Sequence, residues 1–116
     1  MSNENVKVTD DVDAESGLQI RTVEITRGKK TRTFEVREIS YGQINKIGAG
    51  LNHADLAKRQ QCMESFGANI VSACVLENGE AITFDEAAAL PGSIGKTLEK
   101  EALALNKEDK EEAKNA

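Results

Sequence analysis

Two hydrophobic periods run along this chain. Between residues 18 and 37 apolar side chains recur at every second position, and from about residue 54 they recur at every third or fourth. The 18–25 run is rich in β-branched residues. Leu18 and Ile20 sit in one phase and Val23 and Ile25 in the other. A slip of one residue predicts a β-bulge near Thr22. The 31–37 run alternates cleanly, with Phe34 and Val36 on one face. Between the runs lies Thr26-Arg27-Gly28-Lys29-Lys30, and glycine in a short polar connection predicts a hairpin.

The second period predicts helices. Ser40 caps a short one over 41–47, which Gly48 and Gly50 end. Over 54–76, Cys62, Met63, Phe66, Ile70, Ala73 and Cys74 fall on one face. Gly67 weakens that helix by about 1 kcal/mol relative to alanine, at a place suited to close packing. Glu77-Asn78-Gly79-Glu80 is a turn. Thr83 and Glu86 then have the spacing of a capping box, with Ile82 placed as a hydrophobic staple. Pro91-Gly92 stops this helix and Ser93 starts the last, whose stripe is Ile94, Leu98, Ala102 and Leu105. The expected class is α+β: an N-terminal antiparallel β-hairpin followed by three or four packed α-helices. A lone hairpin is unstable in water, so helices or another subunit must cover it. Its two edges, read as open, invite homo-oligomerisation.

The ends differ from the middle. Residues 1–17 are polar and without period, and hold Glu4, Asp10, Asp11, Asp13 and Glu15 against Lys7 alone. They read as a disordered acidic arm. Residues 18–106 read as a single α+β domain, and 107–116, all charged and small residues, as a charged flexible tail. The net charge of -5 therefore belongs to the ends, because acids and bases balance over 18–105. Such a body has no net positive field for nucleic acid, and 3% aromatic residues leave few platforms for stacking bases. No apolar run is long enough to span a bilayer. The N-terminus lacks a basic segment followed by an apolar block, so a cytoplasmic protein is expected. Cys62 and Cys74 are twelve residues apart on a helix, about 18 Å, and read as reduced, buried apolar residues.

No constellation for catalysis emerges. His53 is the only histidine and has no activated nucleophile beside it. One histidine and two widely spaced cysteines do not make a zinc site. The acids at 10, 11, 13 and 15 lack the mid-loop glycine and terminal glutamate of a calcium loop. Gly95-Lys96-Thr97 ends like a phosphate-binding loop, but position 90, which that motif needs as glycine, is leucine, and no strand precedes it. No enzyme activity, cofactor or metal is expected. The residues singled out for partner binding are Phe34 and Val36 on the hairpin and Ile94, Leu98 and Leu105 on the last helix, with core packing as the competing reading.

The order of features resembles the small tail assembly chaperones of long-tailed bacteriophages. The likeness covers about residues 18–106. It is carried by the hairpin running into Arg37-Glu38-Ile39-Ser40-Tyr41, the helix end Ser72-Ala73-Cys74-Val75-Leu76, and the turn Glu77-Asn78-Gly79-Glu80. Thr83-Phe84-Asp85-Glu86, the Leu90-Pro91 stop and the closing Ala102-Leu103-Ala104-Leu105-Asn106 complete it. The resemblance implies a non-enzymatic protein that binds the tape measure protein and helps recruit major tail tube protein in the host cytoplasm. Such a protein is absent from the mature virion and often has a longer form made by frameshifting. A minor structural tail protein and a small peptide-binding adaptor domain are the alternatives.

Overall fold

In the computed structural model, described over residues 4–115 (side chains over 5–51 and 53–106), the β period builds more sheet than a hairpin. Strands β1 (Glu4–Val12), β2 (Gln19–Arg27), β3 (Lys30–Arg37), β4 (Val75–Glu77) and β5 (Glu80–Ala81) pair antiparallel in that order. Between β3 and β4 run α1 (Tyr41–Gly48), a 3-10 turn (Ala49–Asn52) and α2 (Leu56–Cys74). After β5 come α3 (Phe84–Ala88) and α4 (Gly92–Asn115). The α+β class holds: an N-terminal antiparallel sheet and four α-helices among the described residues.

The turns follow their local chemistry. Arg27 faces Lys30, so β2 and β3 are joined by Gly28-Lys29, with Gly28 at φ 63°, as a type II′ turn requires at its first central position. Glu77 faces Glu80 around Asn78-Gly79. Both central residues have positive φ, 54° and 82°, the type I′ pattern that Asn-Gly favours. Ser40 and Thr83 both cap their helices in full capping boxes, with Gln43 and Glu86.

Four expectations need correction. The acidic N-terminal segment is not an arm over the residues described, because Glu4–Val12 pairs along its whole length with β2. The Asp13 carboxylate organises the connection. It accepts from the Glu15 amide and the Ser16 hydroxyl, each at 3.0 Å, and these bonds hold its carboxyl below the usual range. At the other end, α4 continues as helix through Asn115 rather than giving way to a tail at 107. Residues 1–3 of the arm and Ala116 of the tail lie outside the described residues. The hairpin edges are closed: β1 covers β2 and β4 covers β3. The open edges belong to β1 and β5.

The bulge at Thr22 is absent too. Pairing runs one to one through it, Thr9 to Thr22 to Glu35. The apparent slip arises because an arginine occupies the inward phase. Arg21, Val23 and Ile25 all point to the core side, and Arg21 is 9% exposed. Its guanidinium bonds Asp10 of β1 (2.6 Å) and Glu101 of α4 (3.0 Å). The hydrogen bond it donates to the Asp10 carboxylate is the main reason its pKa rises, against the opposing effect of burial.

One apolar core lies between the sheet and the helices. Val23, Ile25, Phe34, Val36 and Val75 face Ile70, Val71 and Cys74 of α2 and Ile94, Leu98, Ala102 and Leu105 of α4. Each large side chain in it contributes about 1.5–3 kcal/mol by burial. Asn106, one residue after Leu105, pins the strand exit: its side-chain oxygen accepts from the Ile39 amide (3.0 Å) while its NH2 donates to the Ala102 carbonyl (2.8 Å). Gly67 sits where α2 meets α4, and a Cβ there would run into the Glu99 carboxylate.

Replacing Arg21 by alanine leaves Glu101, with its side chain 17% exposed, without its cation. The expected loss is about 3 kcal/mol in urea unfolding. Arg21→Met combined with Glu101→Leu should regain most of it, because an apolar pair needs no charge compensation.

Candidate interaction surface

The side chains picked from sequence for partner binding are core. Phe34, Val36 and Leu98 are 0% exposed, Leu105 1% and Ile94 2%. The two candidate surfaces, sheet and terminal helix, cover each other, since α4 packs on β2 and β3. Apolar periodicity correctly marks these faces as buried; the sheet and the helix are simply each other's partner.

The groups with chemical potential have structural roles. His53 follows the 3-10 turn, and its Nδ1 accepts from the Asp55 amide (2.9 Å), while the Asp55 carboxylate caps α2 through the Ala57 amide. Gly95-Lys96-Thr97 lies inside α4, where the Thr97 hydroxyl donates to the Ser93 carbonyl (2.8 Å). Among the described residues no three His, Cys, Asp or Glu side chains gather as metal ligands, and no helix is long and apolar enough to cross a membrane. Arg32 reaches over the Phe34 ring at 5.2 Å and forms a two-pronged pair with Glu77, both bonds 2.8 Å. That pairing, against the effect of burial, draws the Glu77 carboxyl below its ordinary range. These contacts join β3 to β4 and leave nothing vacant.

What remains is apolar surface that the fold does not cover: besides the separate side chains of Leu18, Tyr41 and Phe84, it gathers into rows in two places. The first is on α2. Leu56, Met63 and Ile70 stand seven residues apart and so form one row along the helix. Ile70 is 4% exposed, but Met63 is 63% and Leu56 67%. The row is core at one end and bare at the other, about 10 Å of helix further on. Sequence reasoning placed Met63 on the buried face; periodicity gave its direction correctly and could not show where the covering layer ends. Beside this half of α2 an open cleft of about 540 Å³ runs between α1, the 3-10 turn and α2, with Lys46, Lys58, Gln61 and Cys62 in its lining. A Cβ on Gly50 would meet Cys62 Cβ at 2.8 Å, so glycine is what lets the turn close on the helix.

The second place is β1. Val6, Val8 and Val12 are 38, 42 and 56% exposed, although Ile25 and Val23, which lie opposite Val6 and Val8, are buried. The sequence signal was the every-second-residue spacing of these valines, masked by Asp10, which holds the third position of the same phase.

The two cysteines are separated chemically. Cys74 is fully buried, and burial pushes its thiol up to about 11; Cys62 is only partly buried. Iodoacetamide at pH 8 is therefore expected to label Cys62 in the folded protein and both thiols in urea. Because the unfolded Cys74 thiol ionises near 9 and the folded one near 11, stability should fall as pH rises through that window, a slope that Cys74→Ala removes. Compared with protein-family models, with curated proteins and with solved structures, the chain matches none.

Proposed function

We propose that this chain is a non-enzymatic assembly module, a tail assembly chaperone of long-tailed bacteriophages. In this reading it holds apolar helical segments of the tape measure protein in the host cytoplasm before the tail tube forms around them. The observation that carries the reading is the bare half of the α2 row, Leu56 and Met63. A row continuous with the core is an apolar ridge, the form in which one helix docks on another through residues at turn spacing. The specific partner is suggested by the resemblance of the order of sequence features to that family. One small domain supplies only a modest apolar area, so many copies along a long helix would supply the avidity.

The minor structural tail protein is the competing reading, and the two part over the finished particle. The proposal expects the chain in infected-cell lysate and not in purified virions; mass spectrometry finding it in virions would favour the structural protein instead.

The test of the surface is co-expression with tape measure protein. Wild-type chain should keep that protein in the soluble fraction and co-purify with it. Leu56→Glu with Met63→Glu should abolish co-purification while leaving the melting temperature within about 2 °C, since both side chains are mostly exposed. A tape measure protein equally soluble with the double variant would sink the surface assignment.

A further inference from the structure

The outer edge of β1 has a definite chemistry. The Asp13 amide donates to the Leu18 carbonyl at 2.9 Å, which fixes the phase of the β1–β2 ladder. Odd-numbered residues of β1 bond β2, and by antiparallel alternation the amides and carbonyls of Val6, Val8, Asp10 and Val12 point to the open side. The side chains of those same residues lie on the helix-covered face of the sheet, as their neighbours Ile25, Val23 and Arg21 do. Lys7, Thr9 and Asp11 lie on the other face. This edge is nine residues long and carries no proline and no bulge; the blunting devices it does carry are charges, chiefly Lys7 and the inward-pointing Asp10, and Asp10 is already held by Arg21.

We infer that β1 pairs with β1 of a second copy, antiparallel about a two-fold axis at Thr9, making one continuous sheet. The strand's own charges choose the register. An axis at Lys7 sets two ammonium groups opposite each other, and one at Asp10 sets two carboxylates opposite, both unfavourable. An axis at Val8 sets Val6 against Asp10 and Lys7 against Thr9. The axis at Thr9 sets Lys7 against Asp11 and Val6 against Val12, twice each by symmetry, so both lysines meet an opposite charge, no like charges face each other, and the end valines meet each other. Asp10, opposite Val8, keeps its bond to Arg21. One exchange accompanies pairing. In the free chain the Asp11 carboxylate accepts from the Val12 amide at 2.7 Å. Facing Lys7 of the second copy, it releases that amide to the Val6 carbonyl across the axis. The inference concerns the chain alone and does not rest on the chaperone reading.

Sedimentation equilibrium of the full chain tests it. Wild type is expected to be a reversible dimer at micromolar to millimolar concentration. Lys7→Glu alone or Asp11→Lys alone puts like charges in two symmetric pairs and should weaken the dimer about tenfold. The two substitutions together restore opposite charges and should return most of the affinity. Val8→Pro removes an outward amide without touching the β1–β2 ladder and should give a monomer with an unchanged circular dichroism spectrum. If that variant unfolds, the charge exchange decides alone. A monomer at all concentrations overturns the inference, and a dimer that the double substitution fails to rescue overturns the register.

Discussion

The structure depends on an ion pair network in a place where pattern alone asks for an aliphatic residue. Arg21 stands in line with Val23 and Ile25 on the inward face of β2, its side chain 11% exposed. Its guanidinium reaches one way to Asp10 on β1 and the other to Glu101 on α4. Arginine suits this place because its planar fork presents donors in two directions at once, which a lysine ammonium does not do at fixed geometry. One side chain fastens two neighbouring strands to a helix eighty residues further along the chain. Where the apolar core thins toward the first strand, the bond to Asp10 takes over the task that valine and isoleucine perform further along. The cost of burying the arginine is met by two carboxylates, one of them 65% exposed and well hydrated.

How much of this was legible in the sequence depends on how local the cause is. The β2–β3 hairpin, the Asn78-Gly79 turn, the Thr83 capping box, the stop at Pro91-Gly92 and the α4 stripe are set by neighbours within a few residues, and each was readable. The first strand was not, because its inward positions are Val6, Val8, Asp10 and Val12, and a carboxylate in the row looks like solvent-facing sequence. The bulge predicted at Thr22 came from the same cause seen from the other strand: Arg21 in an inward position makes the alternation look shifted. Strands β4 and β5, of three and two residues, are too short to have a period, and owe their existence to pairing with β3. Periodicity also found the faces of Phe34 with Val36 and of Ile94 with Leu98 and Leu105. It carries no information on what lies against a face, and here the two lie against each other.

The helical side divides unequally. The C-terminal half of α2 is held by the core through Ile70, Val71 and Cys74, whereas α1 has no fully buried residue and the start of α2 has none either. The junction there relies on close approach, Gly50 over Cys62, and on the cap from Asp55, rather than on apolar volume. A region with few buried contacts opens more readily than the rest. It is also where Leu56 and Met63 are bare, so the least anchored helical segment carries the apolar ridge. Such a segment can adjust to a partner without disturbing the Arg21 network at the other side of the fold.

The two sheet edges are unlike, and that difference limits what assemblies the fold allows. β5 has two residues, after which Ile82 turns into the core, so this edge offers almost no ladder to a neighbour. β1 offers nine residues. The closed edges of the β2–β3 hairpin remove the sites through which homo-oligomerisation was expected. A filament grown by strand addition needs two long edges on each subunit, one to receive and one to give, and this sheet has only one. An edge that pairs with itself across a two-fold axis is used up in the act. Sheet growth through a self-paired β1 would therefore end at two copies.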